Sequence, residues 1–292
     1  MPRALAAHED QIGANEECRH HGRHIDLYRQ RSVNERRKRH GIPGGRRPAA
    51  YSEKDSILCL TYNGVGVATA QERQLTIPVG DGQVSGLLVA PAGACACYVL
   101  AHGAGVGMRH KFMAETARGL AERGIATLRY QFPYMERGSK RPDSPKVAQA
   151  AVRAAAEKAR ELLPGLPLIA GGKSYGARMT SQARAEAALP GVRGLAFLGF
   201  PLHAPGQPSD DRAEHLSRVE TPMLFLQGTR DEFAQLDLLK PLVERLGARA
   251  TLKLFEGADH SFHVPAKSGR TDADLMSELL DSLAEWIREV VS

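Results

Sequence analysis

Cysteine is scarce in this chain, with four among 292 residues, and none of the four makes a metal-type C-x-x-C pair. Cys18 and Cys59 are isolated, while Cys95 and Cys97 stand two apart, on one side of an expected strand. That scarcity excludes a disulfide scaffold and leaves the thiols as buried or idle side chains. Long apolar runs are missing too. No stretch approaches the roughly 20 residues that span a bilayer, and the N-terminus lacks the apolar core of a secretory signal, so no membrane partner is expected and the default compartment is cytoplasmic. What is present is 42% hydrophobic residues, enough for a substantial core in one large α/β domain or two small ones.

Net positive charge is also nearly missing from most of the chain. The net charge is +6, but residues 1–50 hold 11 Lys and Arg against 6 Asp and Glu, which leaves +1 for everything after them. The same leader carries five of the 11 histidines, the run Arg36-Arg37-Lys38-Arg39-His40 and little apolar periodicity. Residues 1–70 therefore read as a basic, disordered extension to a domain at 71–292. A solvated tail is the plain reading, and a nucleic-acid-binding arm is the rival one, with nucleic acid not the expected partner. His20, His21 and His24 cluster, but no Cys or carboxylate spacing completes a metal site, so neither metal nor cofactor is expected.

From about Gln71 the texture changes. Gln74–Val79 and Val84–Ala90 flank Gly80-Asp81-Gly82, which predicts a hairpin. Strands are then predicted at 97–101, 125–130, 166–170, 192–198, 222–227 and 251–255, and helices at 108–123, 145–163, 175–188, 232–246 and 272–290. Continuous apolar strands alternating with helices imply a mostly parallel sheet covered on both faces, with ligands at the strands' carboxyl ends.

One such end reads Gly172-Lys173-Ser174-Tyr175-Gly176, a G-x-S-x-G sequence between a strand and a helix. A serine hydroxyl attacks only when held near a base, and the two glycines permit a tight bend where a Cβ would collide with a neighbouring element. Two later loops at carboxyl ends supply partners, Asp231 in Gly228-Thr229-Arg230-Asp231-Glu232 and His260 in Gly257-Ala258-Asp259-His260. Ser174, Asp231, His260 is the chain order of α/β-hydrolases. Glu232 is the rival carboxylate and His263 the rival base, while Asp259 adjoins His260 too closely to reach its ring. Oxyanion donors are expected from the backbone N–H of Tyr175 and of Ala104, the latter in the His102-Gly103-Ala104-Gly105 loop, with His102 holding that loop.

These segments resemble the serine α/β-hydrolases close to dienelactone hydrolase, over residues 71–290. Phe132–Gly138, Arg141-Pro142-Asp143 and Gly199–Gly206 are similar to a bacterial subgroup classed with the hydrolase-like domain of a non-specific-lethal chromatin complex subunit. The resemblance implies the fold and the triad; dienelactone hydrolases carry a cysteine nucleophile where this chain has Ser174. The expected protein is a serine hydrolase acting on an ester or related acyl bond of a small molecule, and the alternative is a hydrolase fold serving as a non-catalytic interaction module. About two dozen residues between the strands ending at Leu198 and beginning near Pro222 are too few for a large lid. Arg137, Arg141 and His203 are expected at the substrate, the two arginines favouring an anionic one.

Overall fold

The computed structural model describes residues 71–292. The basic leader, its histidine cluster, Cys18 and Cys59 lie outside the described residues. Chain order is β1 (Glu72–Val79), β2 (Gly82–Val89), β3 (Ala96–Ala101), α1 (Lys111–Glu122), β4 (Ile125–Tyr130), α2 (Pro133–Glu136), α3 (Pro145–Leu162), β5 (Leu168–Lys173) and α4 (Tyr175–Glu186). It continues through β6 (Val192–Leu198), a 3₁₀ segment (Asp211–Arg218), β7 (Met223–Gly228), α5 (Leu236–Leu246), β8 (Ala250–Phe255) and α6 (Asp272–Val291).

The eight strands form one sheet in the order β1-β2-β4-β3-β5-β6-β7-β8. β1, β2 and β4 pair antiparallel, and every pair from β4 to β8 is parallel. β3, β4, β5, β6 and β7 are buried almost throughout, as a parallel sheet covered on both faces requires. After β3 the chain moves outward to β4, and after β5 it moves the other way to β6. The loops that leave β3 and β5 therefore part at the sheet's switch point, where α/β folds open a crevice.

Helices α3, α4 and α5 bury Ala148, Val152, Met179 and Leu239 against one face. The alanines of α3 let it lie close to the strands. Helices α1 and α6 cover the other face through Met113, Leu120, Leu279 and Trp286. α6 starts on a reciprocal cap, in which Thr271 Oγ1 accepts from Asp274 N–H and the Asp274 carboxylate accepts from Thr271 N–H. Trp286 fits because β6 offers Gly194 beneath it; a Cβ there would stand 2.7 Å from the indole Cη2. The connection between β6 and β7 carries only the 3₁₀ segment, so no large lid covers the carboxyl edge. No helix among the described residues is long and apolar enough to cross a membrane.

Candidate active site

Between β5 and α4 the chain turns on a single residue. Ser174 has φ 50° and ψ −113°, a backbone conformation a side chain tolerates at a cost on the order of 1–3 kcal/mol. The turn is this tight because β5 and α4 both press on β3. A Cβ on Gly172 would lie 2.3 Å from the Ala101 carbonyl oxygen, and one on Gly176 would lie 2.6 Å from the same atom. Glycine at both positions lets the elbow seat on β3 and lifts the serine hydroxyl off the sheet.

Ser174 Oγ lies 2.8 Å from His260 Nε2, and His260 Nδ1 lies 2.7 Å from Asp231 Oδ2. An ionised carboxylate only accepts, so Nδ1 carries the ring proton and Nε2 is left to accept from the serine hydroxyl. Asp231 Oδ2 also accepts from Gln227 Nε2 at 2.5 Å, and Oδ1 accepts from Phe233 N–H at 2.8 Å. The Asp231 side chain is fully buried. Burial alone would raise its pKa, but the His260 charge and hydrogen bond, the Lys173 ammonium and the Phe233 N–H together hold the carboxyl below its ordinary value. Phe233 leans on the imidazole, with ring centroids 4.3 Å apart and the planes tilted by 36°.

The rivals point elsewhere. His263 faces Asp272, with Nδ1 2.9 and 3.0 Å from its two oxygens, and Glu232 is exposed beside Asp231. Asp259 spends Oδ1 on the backbone N–H groups of Ser261 and His263 and so shapes the turn that carries His260.

Tyr175, one of the two expected oxyanion donors, is the first residue of α4, at the positive end of that helix. The glycine loop after β3 abuts the elbow, since a Cβ on Gly103 would touch the Lys173 carbonyl oxygen at 3.7 Å. Gly105 N–H is committed to Tyr134 Oη at 3.1 Å, and the half-buried Ala104 precedes it. His102 staples this loop. Its Nε2 accepts from Phe132 N–H at 3.0 Å, so Nδ1 is the protonated nitrogen and donates to the Gly103 carbonyl at 2.7 Å. Burial pulls its pKa down to about 4, and the ring stays neutral.

His203, expected at the substrate, lies at the carboxyl end after β6. It is 2% exposed, with Nδ1 against the Ala204 carbonyl at 2.9 Å and Nε2 accepting from Gln235 N–H at 3.3 Å. Both ring nitrogens lie against backbone groups. Arg137 lies in an exposed loop beyond α2, where its Nη2 pairs with Asp143 Oδ1 at 2.5 Å. In the same loop the backbone N–H of Arg141 donates to Ser139 Oγ.

Sequence reasoning missed Gln227 and Phe233. Gln227 was findable: a lone polar residue at the end of the apolar strand β7, four residues before Asp231, is out of place unless something needs its amide. Its Oε1 accepts from Phe200 N–H at 2.9 Å, so one side chain ties the loop after β6 to the carboxylate. Phe233 carried no such signal.

A mostly parallel sheet with a serine elbow at its switch point, and a histidine and an aspartate on later loops, defines the α/β-hydrolase class. The chain belongs to the alpha/beta hydrolase domain family, whose model matches residues 94–288. The fold is shared with a lid-less serine hydrolase from Xanthomonas campestris, at 23% identity and TM-score 0.59 over 74% of this chain and 95% of that one. It is shared too with a dienelactone hydrolase from Anabaena variabilis, at 20% identity and TM-score 0.64 over 77% and 100%. A cold-adapted esterase from an Arctic intertidal metagenomic library gives 20% identity and TM-score 0.55 over 77% and 99%.

Proposed function

We propose that residues 71–292 are a serine hydrolase domain cleaving an ester or related acyl bond of a small molecule, with 1–70 an extension to it in a cytoplasmic protein. The observation that carries this reading is the unbroken run of hydrogen bonds from Ser174 Oγ through His260 to Asp231, on a strained serine at the switch point.

In the reaction, Ser174 Oγ forms a bond to the acyl carbon while its proton passes to His260 Nε2. The resulting imidazolium is stabilised by Asp231. Negative charge on the former carbonyl oxygen is met by the backbone N–H groups of Tyr175 and Ala104. Collapse breaks the bond to the leaving alcohol, which takes the proton from Nε2. Water, activated by the same imidazole, then releases the acid and restores the serine. The scheme uses no metal and no cofactor.

The open carboxyl edge suits small or flexible acyl groups. Arg137 and Arg141 favour an anionic substrate in this scheme, Arg141 more than the Asp143-paired Arg137. The segments 132–138, 141–143 and 199–206 support reading the chain as a relative of the bacterial subgroup classed with the hydrolase-like domain of a non-specific-lethal chromatin complex subunit.

Labelling with a fluorophosphonate probe tests the core of the reading. The parent protein should be labelled on Ser174, Ser174→Ala should not, and p-nitrophenyl esters of graded length should be hydrolysed by the parent alone. Labelling that persists in Ser174→Ala would remove the assignment. A preference for a carboxylate-bearing ester over a neutral one, erased by high salt and by the Arg137→Ala, Arg141→Ala double variant, would carry the basic loop; equal rates would drop it.

A further inference from the structure

Lys173 precedes the nucleophile, and its side chain does not run out into solvent. It is half-buried at the end of β5, and its Nζ donates to the backbone carbonyl oxygen of His260 at 2.5 Å. Two aromatic rings flank the ammonium, Phe262 with its centroid 5.3 Å away and Phe112 at 6.0 Å, the two rings stacked on each other. Phe262 reaches that place from a backbone φ of 62°, a left-handed conformation two residues after His260. On the remaining side stands Gly199, where a Cβ would come within 2.9 Å of Nζ and 3.5 Å of both Asp231 Oδ2 and His260 Cε1. No carboxylate among the described residues comes within ion-pair distance of Nζ. A cation held in this way, on one carbonyl and two rings, is costly to bury and contributes little to a core.

We propose that Lys173 is a positioning residue for the reaction: its ammonium clamps the loop after β8 onto the end of β5 and thereby fixes the His260 imidazole at the hydroxyl of the adjacent Ser174. The inference rests on the serine hydrolase reading and adds to it a residue that touches neither substrate nor reacting atoms. The serine and its base come from strands that are not neighbours, with β6 and β7 between them. Their separation of 2.8 Å therefore needs a tie across the sheet, and the charge-assisted bond from the residue beside the nucleophile to the backbone of the base is such a tie.

Burial pulls the Lys173 pKa down to about 8, partly opposed by Asp231 and Asp259. The charged and titratable groups facing it are Asp231 from the loop after β7, Asp259 and His260 from the loop after β8, and His110 at the start of α1. Asp231 is ionised throughout the neutral and alkaline range, and His110, whose pKa is lowered by burial and by Lys173 itself, is neutral there. Lys173 is thus the group of this set that discharges near pH 8, and the clamp weakens as it does.

The test compares the parent, Lys173→Met and Lys173→Arg by the rate of fluorophosphonate labelling and by kcat and KM for a p-nitrophenyl ester across pH 6 to 10. Lys173→Met should lower both the labelling rate and kcat tenfold or more, with KM within about twofold. The parent's kcat should fall above an apparent pKa near 8, and Lys173→Arg, which stays charged, should keep more activity than the methionine variant and lose that alkaline limb. A residue that only filled space would shift the melting temperature and leave the limb in place. Should Lys173→Met fold poorly, the limb in the parent against Lys173→Arg still decides. Labelling of Lys173→Met at the parent's rate, or an alkaline limb unchanged in Lys173→Arg, would overturn the proposal alone. A parent that is neither labelled nor active would sink the hydrolase reading and this role with it.

Discussion

Histidines occupy two kinds of loop at the carboxyl edge of this sheet, and the contrast between them separates chemistry from scaffolding. In the loops after β3 and β6, His102 and His203 each lie buried with Nδ1 on the carbonyl of the following residue and Nε2 accepting a backbone N–H from a different loop. In the loop after β8, His260 has a carboxylate on Nδ1 and a hydroxyl on Nε2, and its side chain keeps 15% exposure. A carbonyl fixes a tautomer. A carboxylate fixes the tautomer and also stabilises the charged ring, so only the His260 loop can hold a proton in transit.

The sharpest way to break this contrast is to give His260 the neutral partner the other two have. Asp231→Asn should lower kcat on the order of 10⁴-fold, the size of loss recorded for the equivalent change in a serine protease, while urea unfolding still shows a cooperative transition. Next in size is His102→Ala. It strands the buried N–H of Phe132 and the Gly103 carbonyl, and should cost roughly 2–5 kcal/mol of stability in urea unfolding, whereas His260→Ala, which leaves the Asp231 carboxylate its bonds from Gln227 and Phe233, should cost less than that and abolish turnover.

A third effect is a pH dependence. Burial holds the pKa of His102 at about 4, below the ordinary 6.5, so the unfolded chain takes up its proton first as pH falls. Its contribution is complete above pH 6.5 and is lost between 6.5 and 4, up to about 3 kcal/mol. His215, pulled to about 4 by burial and by Arg218 and Arg178, adds an effect of the same sign. Urea midpoints of the parent should therefore fall across that window, and those of His102→Gln should fall less. The smallest expected effects are those of Glu232→Gln and His263→Ala, each within about twofold in kcat/KM. An exchange of outcomes between Glu232→Gln and Asp231→Asn would shift the proposed catalytic carboxylate by one residue.

How far these loops were legible in the sequence depends on where their partners sit. β4 and β6 have the residue bounds that their apolar runs predict, since such strands are specified by their own side chains. Helix starts were less legible. α1 begins at Lys111 instead of Met108, because Met108 N–H is taken by Gln131 and His110 caps the first turn. α5 begins at Leu236 instead of Glu232, because Phe233 is held out of the helix, its N–H on Asp231 and its carbonyl accepting from Leu202 and His203. Short elements such as α2 and the 3₁₀ segment carry too few residues for a period. The elbow and its two partner loops stood out because glycines and chain order mark them. The surroundings of His203 were not legible: it lies at a carboxyl end, and the Gln235 N–H on its Nε2 comes from a loop 32 residues away.

Trp286 is the single tryptophan of the chain, 7% exposed and pressed onto Gly194 in the middle of the sheet. Its emission is therefore a built-in optical gauge of whether α6 remains docked on β6, read without any label. Because the indole sits under the helix layer and the proposed reacting groups sit at the strand ends, substitutions at Ser174, Asp231 or Lys173 should leave its wavelength at that of the parent, and a red shift would mark a variant whose lost activity reflects an undocked helix.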